Sequence, residues 1–162
     1  MIYEGKSAIL SEENTYRYSL TRTWDINKPI CCFIGLNPST ADANEDDPTI
    51  RRCVNFANQW GYGELIMINL FAFRATNPNE MKAVIGSAIG PKNNNFIKCA
   101  TDDADLIIAA WGNHGSYLCR DSQVRMLISK PIYHLGLTTK NQPKHPLYLK
   151  STTVPTLWSK QS

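Results

Sequence analysis

The chain has 162 residues, of which 43% are hydrophobic, a size that suits one globular domain and excludes two domains with adequate cores. No apolar stretch approaches the roughly 20 residues that cross a bilayer, and residues 1–6 lack the apolar core of a signal peptide, so we expect a cytoplasmic protein without a membrane partner. The net charge of +3 permits a polyanionic partner without requiring one.

The five cysteines include no Cys-x-x-Cys pair. An odd number with this spacing argues against a disulfide framework, and it resembles neither a zinc site nor an iron–sulfur ligand set. We therefore expect buried thiols, no metal and no cofactor.

The first predicted elements in chain order are two strands. Residues 16–24 alternate polar and apolar side chains, which predicts a strand with one solvent-facing side at or near a sheet edge. Residues 31–36 form a short apolar run after Pro29, which predicts a buried strand.

The polar residues that follow this buried strand are the first candidates for a site. In an open α/β sheet, the loops that leave the carboxyl ends of central strands line the ligand crevice. Asn37 stands at that position, followed by Pro38 and Ser39. The same residues also suit a plain turn with Ser39 or Thr40 as a helix N-cap.

An acidic segment and a helix come next. Apolar side chains recur at helical spacing over 49–60, with Gly61 as the C-terminal stop. Ahead of this helix lie Asp42, Glu45, Asp46 and Asp47. These carboxylates suit a solvated loop before a helix N-terminus, and they also offer a candidate catalytic carboxylate.

A second buried strand is predicted over 65–70, an apolar run interrupted by Asn69. A polar side chain at the end of a buried strand must find hydrogen-bond partners, either from the fold or from a ligand. Helical pieces over 80–85 and 93–101 follow, split around 86–91.

The last third of the chain repeats the pattern of strand, polar loop and helix. It predicts a strand over 105–111, a helix over 122–129, a strand over 132–136 and a polar loop over 138–147. Strands that alternate with helices predict an α/β three-layer sandwich with a mainly parallel four-stranded central sheet, formed as one domain over 1–162.

Four short motifs in this order resemble the uracil-DNA glycosylase superfamily, particularly its mismatch-specific branch. Gly-Leu-Asn-Pro-Ser at 35–39 is similar to its first motif, and Ile-Met-Ile-Asn-Leu at 66–70 to the strand whose Asn reads the base. Residues 108–114 resemble its Leu-Trp-Gly strand end, and His-Pro-Leu at 145–147 its His-Pro-Ser loop. The resemblance implies a uracil-DNA glycosylase-like fold.

The whole chain resembles more closely a bacterial and phage family known only as a domain of unknown function (DUF1643-like). The segments that carry this resemblance are Asn-Pro-Ser-Thr-Ala-Asp, Asp-Asp-Pro-Thr-Ile-Arg-Arg-Cys, Asn-Leu-Phe-Ala-Phe-Arg-Ala-Thr and His-Pro-Leu-Tyr. This closer resemblance implies no activity.

The glycosylase resemblance implies hydrolysis of the N-glycosidic bond of a damaged, deaminated or modified base flipped out of DNA, as in DNA repair. Asn37 would position water with a carboxylate such as Asp42, Asp46 or Asp47, and His145 would donate to the base oxygen. Asn69 would read the base edge. The implied substrate-binding residues also include Gly35, Pro38, Ser39, Trp111, Gly112 and Asn113. We expect Asn37, Asn69, Gly112 and His145 to converge at the carboxyl edge of the sheet.

The implied partner is DNA or a nucleotide. The candidate phosphate contacts are Arg51, Arg52, Arg74, Lys140 and Lys144, each of which also suits a solvated basic face. The chain departs from the superfamily in two places: residues 41–48 contain no aromatic side chain to stack on the base, and Leu147 replaces a phosphate-binding Ser.

Two further classes remain open from the sequence. One is a non-catalytic nucleic-acid or nucleotide-binding protein of the same fold. The other is a hydrolase or transferase of free modified nucleosides, which needs the same base pocket but little basic surface. The salt dependence of binding separates a duplex binder from a free-nucleoside enzyme.

Overall fold

The computed structural model describes residues 1–158 as a mixed α/β fold. Residues 159–162, which the single-domain prediction includes, lie outside the described residues. The strands are β1 (Gly5–Leu10), β2 (Arg17–Thr23), β3 (Ile30–Gly35), β4 (Glu64–Asn69), β5 (Leu106–Ala109), β6 (Tyr133–His134) and β7 (Thr156–Leu157). The helices are α1 (Pro48–Gln59), α2 (Pro78–Ala83), α3 (Asn93–Asp103) and α4 (Arg120–Leu127). Short 3₁₀ turns cover Ile85–Ala88, Asn113–Cys119 and Pro146–Tyr148.

Within residues 1–158 the sheet has seven strands in the order β1-β2-β4-β3-β5-β6-β7. The neighbours β4, β3, β5 and β6 pair in parallel, whereas β1, β2 and β7 are added with antiparallel pairing. The predicted parallel strands are therefore present, but the prediction of a four-stranded sheet was wrong. The missed strands β1 and β7 are largely exposed, so neither carries a buried apolar pattern.

Helices cover both faces of the sheet because successive strand residues point to opposite sides. Cys31 and Phe33 of β3 pack in one core cluster with α1, including Ile50. Cys32 and Ile34 pack in the other cluster with residues of α2, α3 and α4, such as Ile97. The central strands are thus buried on both faces, as the apolar runs predicted.

Other sequence predictions need correction. We expected one side of β2 to face solvent, but both Arg17 and Arg22 are buried. The outer edge of β2 is paired with β1. Cys99 and Cys119 are exposed rather than buried. The predicted helix over 122–129 spans Arg120–Leu127, and the strand predicted over 105–111 ends at Ala109. No helix within residues 1–158 has the length and apolar character needed to traverse a bilayer.

Candidate functional site

A cavity of about 550 Å³ lies where the parallel strands end. The loops after β3, β4 and β5 and the 3₁₀ turn Pro146–Tyr148 line it. The four residues expected to converge, Asn37, Asn69, Gly112 and His145, all line this cavity. Gly35, Pro38, Ser39, Trp111 and Asn113 line it as well. Parallel register explains the convergence, because Gly35 and Asn69 are paired as the last residues of β3 and β4.

Asn69 is held in one orientation at the floor of the cavity. Nη2 of Arg17 donates to its Oδ1 at 3.3 Å, and a guanidinium can only donate, so the amide oxygen faces Arg17. The side chain is 2% exposed, and its Nδ2 has no hydrogen-bond acceptor within residues 1–158. Asn69 therefore serves the fold through its oxygen and leaves its amide donors for a ligand.

Gly35 makes room for this amide. A Cβ atom at position 35 would lie 2.7 Å from Nδ2 of Asn69 and 2.8 Å from Cε of Met67. Both distances are shorter than a carbon atom can approach without displacing its neighbour. The glycine is thus required by the position of Asn69, its direct partner in the sheet.

The side chain of Asn37 also uses one polar atom to bond to the protein, which here is the nitrogen. Its Nδ2 donates to the carbonyl oxygens of Pro38 at 3.2 Å and Ala75 at 2.9 Å, which ties the loop after β3 to the loop after β4. In the described part of the chain its Oδ1 accepts no hydrogen bond. Asn37 thus stabilises a turn, and its oxygen remains available to accept from a ligand or a water molecule.

Of the acidic residues before α1, only Asp47 lines the cavity in residues 1–158. Its Oδ1 accepts from Ile50 N at 2.9 Å, which makes Asp47 the N-cap of α1, and its Oδ2 accepts from Ala41 N at 3.3 Å. Ser39 and Thr40 therefore do not cap this helix. Asp47 forms no salt bridge with a described residue.

Asp42 and Asp46 make their hydrogen bonds with other parts of the protein. Oδ1 of Asp42 accepts from the backbone N–H groups of Asn44 and Glu45, both at 2.9 Å, and these bonds hold the pKa of the carboxyl below its usual range. Asp46 pairs with Nε of Arg22 at 2.8 Å. Asp42, the predicted catalytic carboxylate, thus lies outside the lining of the cavity.

Arg17 is a site residue that sequence reasoning missed. Its Nη1 donates to Ala41 O at 3.1 Å, and its Nε has no partner within residues 1–158. Burial lowers the pKa of Arg17 to about 10, an effect that the nearby carboxylate of Asp47 partly offsets. The residue falls on the polar side of the alternating pattern of β2, so no sequence signal separates it from a solvent-facing arginine.

His145 lines the cavity and directly precedes the 3₁₀ turn Pro146–Tyr148. Its Nδ1 accepts from Leu147 N at 3.2 Å, so the proton of the neutral ring is on Nε2. Burial lowers the pKa of His145, and the charge of Asp47 opposes this shift. The ring is therefore a neutral hydrogen-bond donor at neutral pH.

An aromatic ring stands at the rim of the cavity although residues 41–48 contain none. Tyr148 is 86% exposed, lines the cavity, and its ring centroid lies 5.8 Å from that of His145. Arg52 holds this segment to α1 by donating to the carbonyl oxygen of Leu149.

The remaining predicted substrate-binding residues use their polar atoms within the protein. Nε1 of Trp111 donates to Oε1 of Gln142 at 2.8 Å, and Oδ1 of Asn113 accepts from Oγ1 of Thr138 at 2.6 Å. Gly112 has a φ of +73°, which a side chain would make unfavourable. These residues shape the wall of the cavity and fix the polar loop over 138–147 against it.

None of the five predicted phosphate contacts lines this cavity in the described residues. Arg51 and Arg52 donate to the backbone oxygens of Asp46 and Leu149. Lys140 and Lys144 are exposed, and Arg74 lines a smaller cavity of about 330 Å³. Ser39, Ala75 and Thr76 line both cavities. No group of metal-ligating side chains occurs in the described range.

No curated protein and no solved structure shows significant similarity to this chain. A family model described as "Protein of unknown function (DUF1643)" matches residues 17–147, which include Arg17, Asn69 and His145. That range extends from β2 to the 3₁₀ turn at the cavity and exceeds half of the chain. Since the match spans nearly every element that forms the cavity, the chain belongs to the DUF1643 family.

Proposed function

We propose that this protein hydrolyses the N-glycosidic bond of a nucleotide whose base is bound in the cavity. The observation that carries the proposal is the amide of Asn69, fixed by Arg17 and left with a donor that no described residue uses. A fixed amide in a cavity of this size suits recognition of a small planar ligand with polar edges. The accepting Oδ1 of Asn37 lies at the same sheet edge.

The residues around the base supply what this hydrolysis requires. Positive charge develops on the sugar as the bond from C1′ to the base nitrogen breaks, and the carboxylate of Asp47 would offset it. Oδ1 of Asn37 would orient the water whose oxygen bonds to C1′. The Nε2–H of His145 would donate to a base oxygen as negative charge develops there. The leaving base finally takes up a proton from the water.

The substrate class that we favour is DNA with a damaged, deaminated or modified base flipped into the cavity. A flipped base exposes both faces of its ring, and Tyr148 at the rim offers an aromatic surface for stacking. This ring would replace the aromatic side chain that residues 41–48 lack.

A free modified nucleoside is the second candidate substrate, and one observation favours it. Three of the five predicted phosphate contacts, Arg51, Arg52 and Arg74, donate to backbone oxygens of the protein instead. A cavity for a free nucleoside needs little basic surface. A non-catalytic nucleotide-binding protein would use the same donors without turnover.

The test is direct detection of released base. The protein is incubated with duplex and single-stranded oligonucleotides carrying deaminated or hypermodified bases and with the corresponding free nucleosides, and the released base is measured by mass spectrometry. We expect release from at least one substrate and its loss in Asn69→Asp. Binding without release would leave only the non-catalytic alternative, whereas a lack of both binding and release would overturn the proposal.

A further inference from the structure

His114 stands at the rim of the cavity in an arrangement that the base-binding proposal does not use. It lies in the 3₁₀ turn Asn113–Cys119 after β5 and lines the cavity. Nζ of Lys82 in α2 is 2.9 Å from its Nδ1. Because an ammonium group can only donate, Nδ1 is the acceptor and Nε2 carries the ring proton.

Lys82 is held in this position by a second contact. Its Nζ lies 5.2 Å from the ring centroid of Tyr117, and the hydroxyl of Tyr117 donates to the carbonyl oxygen of Lys82 at 3.3 Å. A cation over an aromatic ring is attracted by the negative face of the ring. The ammonium group is thus anchored between an imidazole and a phenol ring instead of extending freely into solvent.

Lys140 lies in the polar loop over 138–147, which is bonded to the turn that carries His114. Thr138 joins this loop to the wall of the cavity through Oδ1 of Asn113, and its Oγ1 also accepts from Lys140 N at 3.2 Å. Partial burial and the positive charges of Lys82 and Lys140 together lower the pKa of His114. Two elements therefore place positive charge around one neutral ring.

This positive charge has no carboxylate partner in the protein. Neither Lys82 nor Lys140 forms a salt bridge with any residue in 1–158. A lysine ammonium group bonded to a cavity-lining imidazole, with a second lysine in the neighbouring loop, favours binding of an anion with several acceptor oxygens. A phosphate group has that chemistry.

We propose that Lys82, His114 and Lys140 form a subsite for a phosphate ester attached to the nucleoside whose base occupies the cavity. Nε2–H of His114 and the two ammonium groups would donate to the phosphate oxygens. This proposal rests on the proposed function in one respect, namely that the phosphate is attached to a nucleoside whose base occupies the cavity. The phosphate belongs either to a mononucleotide or to a DNA strand, and the two sources share this chemistry.

The first test uses inorganic phosphate and follows the Cε1–H resonance of His114 by NMR. A bound phosphate compensates the two ammonium charges, so we expect it to raise the pKa of His114 at millimolar concentration in the wild type. The shift should disappear in Lys82→Gln/Lys140→Gln and persist in Lys98→Gln, which removes an exposed lysine of α3 that makes no contact with His114 in the described residues. A shift that is absent in the wild type, or that persists in the double variant, would overturn the subsite.

The second test compares 2′-deoxyuridine, its 5′-monophosphate and a uracil-containing single-stranded oligonucleotide by calorimetry. We expect the monophosphate or the oligonucleotide to bind about tenfold more tightly than the nucleoside, a gain that one charge-assisted contact can supply. The double variant should bind all of them equally, and Lys140→Gln alone should lose part of the gain. Equal binding to the wild type would contradict the proposal.

These two tests separate failure of the subsite from failure of the proposed function. If inorganic phosphate acts on His114 through Lys82 but no base-bearing ligand binds, the subsite stands and the glycosidic proposal fails. If base release from the phosphate-bearing substrate identified in the release assay is unchanged in the double variant at low salt, the subsite fails and the glycosidic proposal stands. Preference for the monophosphate over the oligonucleotide would identify a free nucleotide as the source of the phosphate.

Discussion

Arg17 and Asn69 are joined at the floor of the cavity by a hydrogen bond of 3.3 Å between Nη2 and Oδ1. This bond determines the orientation of the amide: Oδ1 bonds to Arg17, and Nδ2 is available to a ligand. Replacement of Asn69 by Asp keeps an acceptor for Arg17 but converts the donor into an oxygen. We expect Asn69→Asp to stay folded and to lose base binding by at least about tenfold, because one hydrogen bond becomes a repulsive contact.

Asn69→Ala provides the contrasting variant. It removes the partner of a buried guanidinium and should lower the free energy of unfolding by about 1–3 kcal/mol in addition to the loss of binding. Thermal denaturation and calorimetric binding of the substrate found in the release assay measure the two effects separately. Full binding by Asn69→Asp would show that the amide donors do not contact the base.

Asp47 and Asp42 offer a matched pair for locating the catalytic charge. Asp47→Asn retains an N-cap for α1, since Asn caps helices as well as Asp does, but removes the negative charge at the cavity and the acceptor for Ala41 N. We expect base release to slow by about a hundredfold or more with little change in substrate affinity. Asp42→Asn makes the same chemical change outside the lining of the cavity and should leave the rate near that of the wild type. Equal effects of the two substitutions would remove Asp47 from the mechanism.

The pH dependence of base release should be that of a neutral histidine, which donates a hydrogen bond and is not a general acid. The pKa of His145 is lowered by burial, so the active neutral form is complete at neutral pH, and base release should fall only as the pH drops through that lowered pKa. His145→Gln keeps a donor and should retain most of the activity without this acidic limb. His145→Ala should lose about tenfold or more. Faster release on acidification would contradict a neutral donor.

The same pKa shifts predict how stability depends on pH. The pKa values of His114, His134 and His145 all lie below the ordinary histidine value of about 6.5 in the folded protein. Below that pH the unfolded chain binds more protons than the folded one, so the free energy of unfolding should decrease as the pH falls from about 6.5 through the folded pKa values. Urea denaturation at a series of pH values measures this slope, which should be smaller in His145→Gln.

Gly35→Ala tests the steric requirement at Asn69. The new Cβ would meet Nδ2 of Asn69, which Arg17 holds in place, and the terminal methyl group of Met67, which can move. We expect ligand binding to be lost together with about 1–3 kcal/mol of stability, as for other substitutions that overfill a packed site. Gly86→Ala is the control, because a Cβ there meets no atom within 4 Å and the backbone has no positive φ. A Gly35→Ala variant with unchanged ligand binding would show that the amide can move without consequence.

Local pattern was sufficient to predict the centre of the fold. The apolar runs that became β3 and β4 are buried on both faces, and the helical spacing before Gly61 marked α1 to within one residue at each end. Parallel strands bring their carboxyl ends to one edge, so the convergence of Asn37 and Asn69 followed from the order of elements alone. These features depend on neighbours in sequence or on a general rule of topology, and both can be read from the chain.

The tertiary structure decided which polar groups belong to the site. The sequence pattern predicts that Arg17 faces solvent, whereas β1 and the loop before α1 bury it in the structure. The packing of that loop also places Asp47, and not Asp42, in the lining of the cavity. His114 and Lys82 come from separate elements, 32 positions apart in sequence, and no local pattern links them. Contacts between distant segments arise from the packing of the whole sheet, which is why the sequence determined the strands and the loops but not the partners within the cavity.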